Sequence, residues 1–208
     1  MQKVLIATTN VGKYLEIAKL LKAHGVDAVS LKELGIDMDV EETGTTLEEN
    51  ATLKAKAYHK LFPDGIVLAD DTGAEIEALG GAPGIHVRRW KDKKTKMTDE
   101  QIRSYCLELM VGVPPEKRAA RFRTVVALSY ADGKIELFDG VLDGVITEKP
   151  TSPTVMKGLP FGTIFYIPEY KMMLDEVHKL SKENTNILTH RERAIMKLIP
   201  KLKNRPQS

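Results

Sequence analysis

Apolar and polar residues alternate in two distinct ways along the first third of the chain. Short, mainly apolar runs at 4–7, 26–30 and 66–69 predict strands. Apolar residues recur at helical spacing between 14 and 21, which predicts a helix there. The sequence 46–49 has the form of a capping box and predicts the start of a second helix. That helix should keep one apolar face over about four turns, formed by Leu47, Ala51, Ala55, Tyr58 and Phe62.

The rest of the chain predicts a second group of elements. A third helix should begin at the capping sequence 98–101. Residues 121–145 contain two mainly apolar stretches around the turn signal 131–134, which predicts a long hairpin. A last strand is predicted at 164–167 and a final helix from about 189 to 202.

The composition is that of an ordinary globular protein. Hydrophobic residues make up 42% and charged residues 29% of the 208 positions, with a net charge of +2, so we expect no nucleic-acid or membrane partner. Arg118, Arg121 and Arg123 are typical of a solvated strand face, and a basic stripe is the alternative. The one cysteine, Cys106, is expected to be a buried inert thiol rather than a catalytic one. The apolar run 4–7 is too short for a signal peptide or membrane span, so we expect a cytoplasmic protein.

Two adjacent carboxylates, Asp70 and Asp71, follow the apolar run 66–69, which predicts that this strand ends there. Two neighbouring anions are costly to bury unless positive charge lies beside them. A divalent metal is the usual solution, and Mg²⁺ prefers carboxylate oxygens and accompanies phosphate. The acidic segment 37–42 predicts a strand end running into a loop. Its last two residues, Glu41 and Glu42, and the pair Asp70–Asp71 flank one predicted helix, which could bring them into one cleft.

The polar turn between the first strand and the first helix is a candidate phosphate site. A strand, a glycine-containing turn and a helix start together aim backbone N–H groups at an anion. Thr8, Thr9 and Asn10 offer side-chain donors, and Lys13 offers a positive charge. Glu16 lies about one turn further and could reach a metal. The glycine spacing is not that of a Walker A loop, and a solvated helix start fits these residues equally well.

Two further pairs of polar residues are candidate site residues because of where they lie on predicted helices. Asn50 and Lys54 are one turn apart and share a face, which is either an ordinary surface face or part of a site. His190 and Arg191 begin the final helix, where the helix dipole disfavours cations. Their position is tolerable if an anion is shared there.

Five blocks of sequence, in order along nearly the whole chain, resemble the inosine/xanthosine triphosphate pyrophosphatase family. The third block, 69–73, resembles the metal motif of that family, with Thr72 where serine is usual. The five blocks are 7–13 with Glu16, 42–46 with 49–51 and 54–55, 69–73, 79–84 with Arg89, and 189–191.

The resemblance implies a fold and an activity. The fold would be an α/β, two-lobed arrangement with a long mixed central sheet, flanking helices and a cleft between the lobes. The sequence shows no repeats, low-complexity tracts or flexible linker, so we expect residues 1–208 to form one such domain without a clean linker. The activity would be Mg²⁺-dependent hydrolysis of ITP, dITP and XTP to the monophosphate and pyrophosphate. The family resemblance also implies a homodimer.

Residue roles carry over by matched position. Asp71 would be a metal ligand and the general base, and Asp70 and Glu42 would help to hold the metal. The substrate-binding residues implied by the resemblance are Thr8, Thr9, Asn10, Lys13, Lys54, Thr72, Arg89, Phe161, His190 and Arg191.

The chain departs from the family pattern where the base would be read. The usual Gly-Phe-Gly-Tyr-Asp-Pro loop is replaced at 158–163, so the aspartate that reads the base is absent and Phe161 keeps only an aromatic face for stacking. A lysine shortly before the terminal motif is replaced by Thr185. Base preference should therefore be relaxed or shifted. The altered loop motivates an alternative function, a sensor that binds dITP or ITP and signals to a partner protein with weak or no turnover, whereas the intact acidic residues favour the enzyme.

Overall fold

The computed structural model describes residues 3–181, 183 and 186–203. The helices of these residues are α1 (Val11–Ala23), α2 (Leu47–His59), α3 (Asp99–Leu109), α4 (Leu174–Leu180) and α5 (His190–Lys203), with 3₁₀ turns at Glu77–Leu79, Val87–Arg89 and Pro115–Lys117. The strands are β1 (Val4–Ile6), β2 (Ala28–Ser30), β3 (Ile66–Ile76), β4 (Pro83–Gly84), β5 (Ala119–Ser129), β6 (Ile135–Ile146), β7 (Phe165–Ile167) and β8 (Met172–Met173). No helix of the described residues is both long and apolar enough to span a bilayer.

The strands form one mixed sheet in the order β2-β1-β3-β5-β6-β7-β8, with β4 paired to β3 outside this path. β1 pairs in parallel with both β2 and β3, and β7 pairs antiparallel with both β6 and β8. The long mixed sheet with flanking helices that the resemblance implied is therefore confirmed. Because β1 and β3 are parallel, their carboxyl ends meet at one edge, which brings the segment after β1 next to Asp70.

The chain divides into two compact units, and β3, β5 and β6 contribute residues to both. Unit 1 comprises, among the described residues, 3–72, 124–140 and 190–203. Its core is formed by side chains of β1, β3, β5, α1 and α5. A Cβ at Gly140 would overlap the carbonyl oxygen of His190, so this glycine lets the first turn of α5 lie directly against β6. The close approach fixes where the α5 N-terminus, with Arg191, enters unit 1.

Unit 2 comprises the described residues between 73 and 123 and between 141 and 189. Its core includes Cys106, which is fully buried as predicted. Arg118 is also buried, at 5% exposure, and donates to the carbonyl oxygens of four residues, so the solvated strand face predicted for this arginine is wrong. Those four carbonyls belong to Met110, Val113, Ile146 and Thr147.

The most consequential difference from the sequence predictions is the length of β3. The strand continues through Asp70 and Asp71 to Ile76 instead of ending after Ala69. Beyond the carboxylates it pairs with β4, with Ala74 opposite Gly84. The two aspartates are therefore part of a paired strand, which holds their backbone more firmly than a loop would.

The other elements agree with the local patterns in most places. Helices α1, α2, α3 and α5 and the β5–β6 hairpin are confirmed, and α3 has a complete capping box. At α2 the Thr46 side chain caps the helix, and Glu49 Oε2 accepts from Thr45 N and Oγ1. Residues 37–42 form no strand, and β8 follows the strand predicted to be the last.

Candidate active site

Asp70 is buried in a cluster of positive charge. Its side chain is 1% exposed, and Oδ2 lies 2.8 Å from Lys13 Nζ and 3.2 Å from Arg191 Nε. Burial alone would raise the pKa of Asp70, but Lys13 and Arg191 outweigh burial and hold the pKa far below its usual range. Asp70 is therefore a permanent carboxylate at neutral pH.

Arg191 joins Asp70 to helix α1. Its Nη1 lies 2.5 Å from Glu16 Oε2, and its side chain is 7% exposed. Burial would lower the pKa of Arg191, but Glu16 and Asp70 raise it above the usual value. The cation at the α5 N-terminus is tolerable because two carboxylates of the protein, Glu16 and Asp70, lie beside it.

Thr72 and Thr124 extend this network along the sheet. The hydroxyl of Thr72 shares a 2.7 Å hydrogen bond with that of Thr124 and accepts one of 3.3 Å from Arg191 Nη2. Thr124 is fully buried on β5. Thr124 could not be predicted from the sequence, because a threonine in an apolar strand carries no local sign of a polar partner. Thr72, predicted to bind substrate, here supports the arginine.

Asp71 points to a different set of groups. Its Oδ1 lies 3.3 Å from Lys54 Nζ, and its Oδ2 accepts a 3.2 Å hydrogen bond from Asn50 Nδ2. Lys54 Nζ also lies 2.6 Å from Glu42 Oε1. Asn50 is 2% exposed, so the surface-face alternative is wrong for this residue, and the cluster includes it.

The two adjacent aspartates have opposite electrostatic environments. Burial raises the pKa of Asp71 above its usual value, and Lys54 offsets this only in part. Burial lowers the pKa of Lys54, but Asp71, Asp70 and Glu42 raise it above its usual value, so the lysine stays charged. Neighbouring carboxylates with pKa values pushed apart can take different roles. Asp70 suits a fixed charge, and Asp71 suits a base.

The segment after β1 forms the other side of the cluster. Asn10 Oδ1 caps helix α1 by accepting from Gly12 N at 2.9 Å and Lys13 N at 3.2 Å, and Asn10 N donates to Thr8 Oγ1 at 3.2 Å. Thr9 and Asn10 are exposed and Thr8 is half-buried. The turn therefore presents donors at a helix N-terminus directly beside Lys13, as a phosphate site requires.

The cluster as a whole has one more negative than positive charge. It contains four carboxylates and three cations: Glu16, Glu42, Asp70 and Asp71 against Lys13, Lys54 and Arg191. Carboxylate oxygens are the donors that Mg²⁺ prefers, so the donor chemistry fits this metal. Within the described residues, however, no three acidic, histidine or cysteine side chains are already grouped around a metal position. Lysines lie between the carboxylates instead.

The remaining predicted site residues are placed differently. His190 is 3% exposed at the start of α5 in unit 1, whereas Arg89 is exposed in unit 2. Phe161 is 1% exposed in the core of unit 2, with its ring centroid 5.4 Å from that of Phe122 and 6.0 Å from that of Trp90. The prediction that Phe161 offers a face for stacking is therefore wrong in this structure. Thr185 lies outside the described residues.

Comparison with known proteins shows the family of this chain. The model of the Ham1 family matches residues 4–201. The dITP/XTP pyrophosphatase of Escherichia coli K12 is 38% identical, over 98% of this chain and 100% of its own length. That of Thermoanaerobacter pseudethanolicus is 39% identical, over 94% of each chain.

Solved structures agree with the sequence match. A HAM1 protein from Coxiella burnetii aligns with a TM-score of 0.82 at 29% identity, over 99% of this chain and 100% of its own. The Staphylococcus aureus Ham1 protein aligns with a TM-score of 0.78 at 32% identity, over 97% and 98% of the two chains. By a match that runs through nearly all of its residues, this chain belongs to the Ham1 family.

Proposed function

We propose that this protein hydrolyses dITP, ITP and XTP to the nucleoside monophosphate and pyrophosphate. The observation that carries the proposal is the buried pair Asp70–Asp71, in which Asp70 lies against Lys13 and Arg191 and Asp71 against Lys54 and Asn50. The identity of 38–39% to dITP/XTP pyrophosphatases, over nearly the whole chain, supports the same activity.

The proposed reaction is a displacement at the α-phosphorus. Asp71 accepts a proton from a water molecule, and the water oxygen forms a bond to the α-phosphorus. The bond from that phosphorus to the α,β-bridging oxygen breaks, and pyrophosphate leaves with the electron pair. A base must be held in place beside the water that it deprotonates, and Asp71 is held at Oδ2 by Asn50 Nδ2 and at Oδ1 by Lys54 Nζ.

The cations of the cluster are suited to hold the triphosphate. Lys13 and Lys54 have partly exposed side chains, at 23% and 13%, and each now neutralises a carboxylate. Binding of a polyphosphate would let both lysines exchange carboxylate partners for phosphate oxygens.

Magnesium is the metal that we propose for the carboxylates. Asp70, Asp71 and Glu42 would hold it through their carboxylate oxygens. When bound, it would neutralise charge on the phosphates and the departing pyrophosphate.

The preference for a 6-oxo purine rests on the relatives rather than on an assigned side chain. Phe161 is buried, and the guanidinium of Arg191 is occupied by Glu16 and Asp70. Whatever donors read the 6-oxo group would face a 6-amino group as donor against donor, which costs roughly 1–3 kcal/mol per contact.

Product analysis tests the proposal directly. Pyrophosphate and orthophosphate release would be measured from dITP, ITP, XTP and the four common ribonucleoside triphosphates, with Mg²⁺ and with EDTA. We expect pyrophosphate from the non-standard purines, a kcat/KM about 10- to 100-fold above that for ATP, and no turnover in EDTA. Orthophosphate release would contradict attack at the α-phosphorus. Tight dITP binding without turnover would contradict the enzyme and favour the sensor.

Assembly and location remain separate proposals. We infer a homodimer from the family resemblance, and a cytoplasmic protein from the single cysteine, which fits a reducing compartment. Sedimentation equilibrium would show twice the chain mass of 23.2 kDa if the dimer is correct, and the monomer mass at micromolar concentration would contradict it.

A further inference from the structure

Asn50 connects the candidate base to the loop that precedes helix α2. Its side chain is buried, Nδ2 donates to Asp71 Oδ2 at 3.2 Å, and Oδ1 accepts from Gly44 N at 2.8 Å. Both ends of the amide are therefore used. A buried polar side chain in the first half of a helix is tolerated only when its hydrogen bonds are made.

The two hydrogen bonds fix which way the amide points. The amide N–H of Gly44 can only donate, so the atom facing it must be the Asn50 oxygen. The Asn50 NH₂ group then faces the Asp71 carboxylate, which, when ionised, has no proton to donate and acts only as an acceptor. A flipped amide would place donor against donor and acceptor against acceptor at the two ends.

Gly44 is shaped for this contact. A Cβ at position 44 would lie 2.6 Å from Asn50 Oδ1 and 2.7 Å from Glu49 Cβ, so only glycine permits the approach. The same loop is fastened one residue later, where Thr45 N and Oγ1 donate to Glu49 Oε2 at 2.6 and 2.9 Å. The loop therefore holds Asn50 in place from its oxygen end.

We infer that Asn50 is a positioning residue, which holds the Asp71 carboxylate in one rotamer by occupying Oδ2 and so directs Oδ1 toward the substrate side with Lys54. This inference rests on the proposed function, in which Asp71 is the base. It goes beyond that function because it assigns a role to Asn50 and, through it, to Gly44. A carboxylate released from its rotamer would lose alignment with the attacking water rather than substrate affinity.

Two substitutions separate this role from a purely structural one. Asn50→Asp keeps the acceptor for Gly44 but replaces the donor to Asp71 by a second carboxylate, which repels it. Asn50→Leu removes both hydrogen bonds and adds no charge. Positioning predicts that each lowers kcat for dITP about 10- to 100-fold while KM changes less than about threefold. Near wild-type kcat in Asn50→Asp would show that only the Gly44 contact matters and would overturn the inference.

Two further variants control for damage to the same helix end. Gly44→Ala displaces Asn50 without touching Asp71, and it should lower kcat in the same direction. Thr46→Ala removes the α2 cap, whose Oγ1 accepts from Glu49 N at 3.1 Å, and leaves the Asn50 amide alone. We expect Thr46→Ala to lose stability and keep kcat within about twofold of wild type. An equal loss of kcat in Thr46→Ala would contradict a specific role for Asn50.

A measurement without turnover keeps this inference separate from the proposed function. The side-chain NH₂ resonances of Asn50, identified by their loss in Asn50→Asp, would be compared in wild type and Asp71→Ala by ¹⁵N-correlated NMR. A large shift on loss of Asp71 supports the contact even if wild type proves inactive, in which case only the proposed function fails. Unchanged resonances would overturn the inference even if wild type hydrolyses dITP.

Discussion

Replacing Arg191 by methionine would remove the group that lies between Asp70 and Glu16 while keeping most of its apolar volume. Arg191 donates to Asp70 at 3.2 Å, to Glu16 at 2.5 Å and to Thr72 at 3.3 Å, with its side chain 7% exposed. Removing one partner of a buried ion pair costs about 3–5 kcal/mol. Because Lys13 still neutralises Asp70 at 2.8 Å, we expect the lower end, about 3 kcal/mol.

A double-mutant cycle with Asp70→Asn isolates the interaction. Once Asp70 is neutral, loss of Arg191 leaves only Glu16 without this partner instead of both carboxylates. The double variant should therefore lose less than the sum of the singles by about 1.5–3 kcal/mol. The free energy of unfolding would be measured by urea denaturation, followed by far-UV circular dichroism, in EDTA and without nucleotide. Circular dichroism is preferable to fluorescence because the one tryptophan, Trp90, lies in unit 2.

The same helix offers a matched control pair. Lys197 Nζ lies 3.0 Å from Asp139 Oδ1, but their side chains are 57% and 45% exposed. Exposed pairs contribute about 0–1 kcal/mol, so a cycle between Lys197→Met and Asp139→Asn should give a coupling energy under about 0.5 kcal/mol. If the Arg191–Asp70 cycle were equally small, the reasoning about this buried cluster would be refuted.

Three other predictions follow from burial and charge. Because the folded pKa of Asp70 lies below its usual value, its contribution to stability is full above about pH 4 and is lost as the pH falls below that. Lowering the pH from 5 to 3 should therefore reduce the free energy of unfolding, measured with urea, more in wild type than in Asp70→Asn. Equal losses in the two proteins would contradict this. Burial raises the pKa of Cys106 to about 12, so dithionitrobenzoate at pH 8 should modify it only in urea, and rapid modification of the native protein would contradict its burial. Arg118→Met leaves four carbonyl acceptors without this donor and should lower the free energy of unfolding by about 3–5 kcal/mol. Arg121→Met, at a side chain that is 52% exposed, should lower it by under about 1 kcal/mol. Similar losses in the two variants would contradict a structural role for the buried Arg118.

Local sequence patterns predicted the elements that depend on local spacing. Helices α1, α2 and α5 and the β5–β6 hairpin follow from periodicity, caps and a turn signal over a few residues. The length of β3 could not be predicted this way, since its second half is stabilised by pairing with β4, a contact formed in the folded chain. An apolar run followed by carboxylates is locally indistinguishable from a strand that ends there.

The candidate site likewise contains features that local sequence predicts and features that only the folded chain creates. The carboxylates and the phosphate turn could be predicted because unusual residue types stand next to an apolar strand. The groups that surround each carboxylate could not be predicted, because Arg191, for example, contacts Asp70 from a position 121 residues away. Asn50 looked like a surface residue, and Phe161 looked like a stacking residue, because burial depends on packing that spacing alone does not encode.

The most direct test of the account is the kcat of Asp71→Asn for dITP with Mg²⁺, measured by pyrophosphate release beside Asp37→Asn, which removes an exposed carboxylate of the same unit. Asparagine is nearly isosteric and cannot accept the proton from water, so kcat should fall about 10²- to 10⁴-fold while the melting transition is kept. Asp37→Asn should match wild type. If Asp71→Asn kept kcat within tenfold of wild type, Asp71 would not be the base, and the proposed chemistry of the acidic pair would be contradicted.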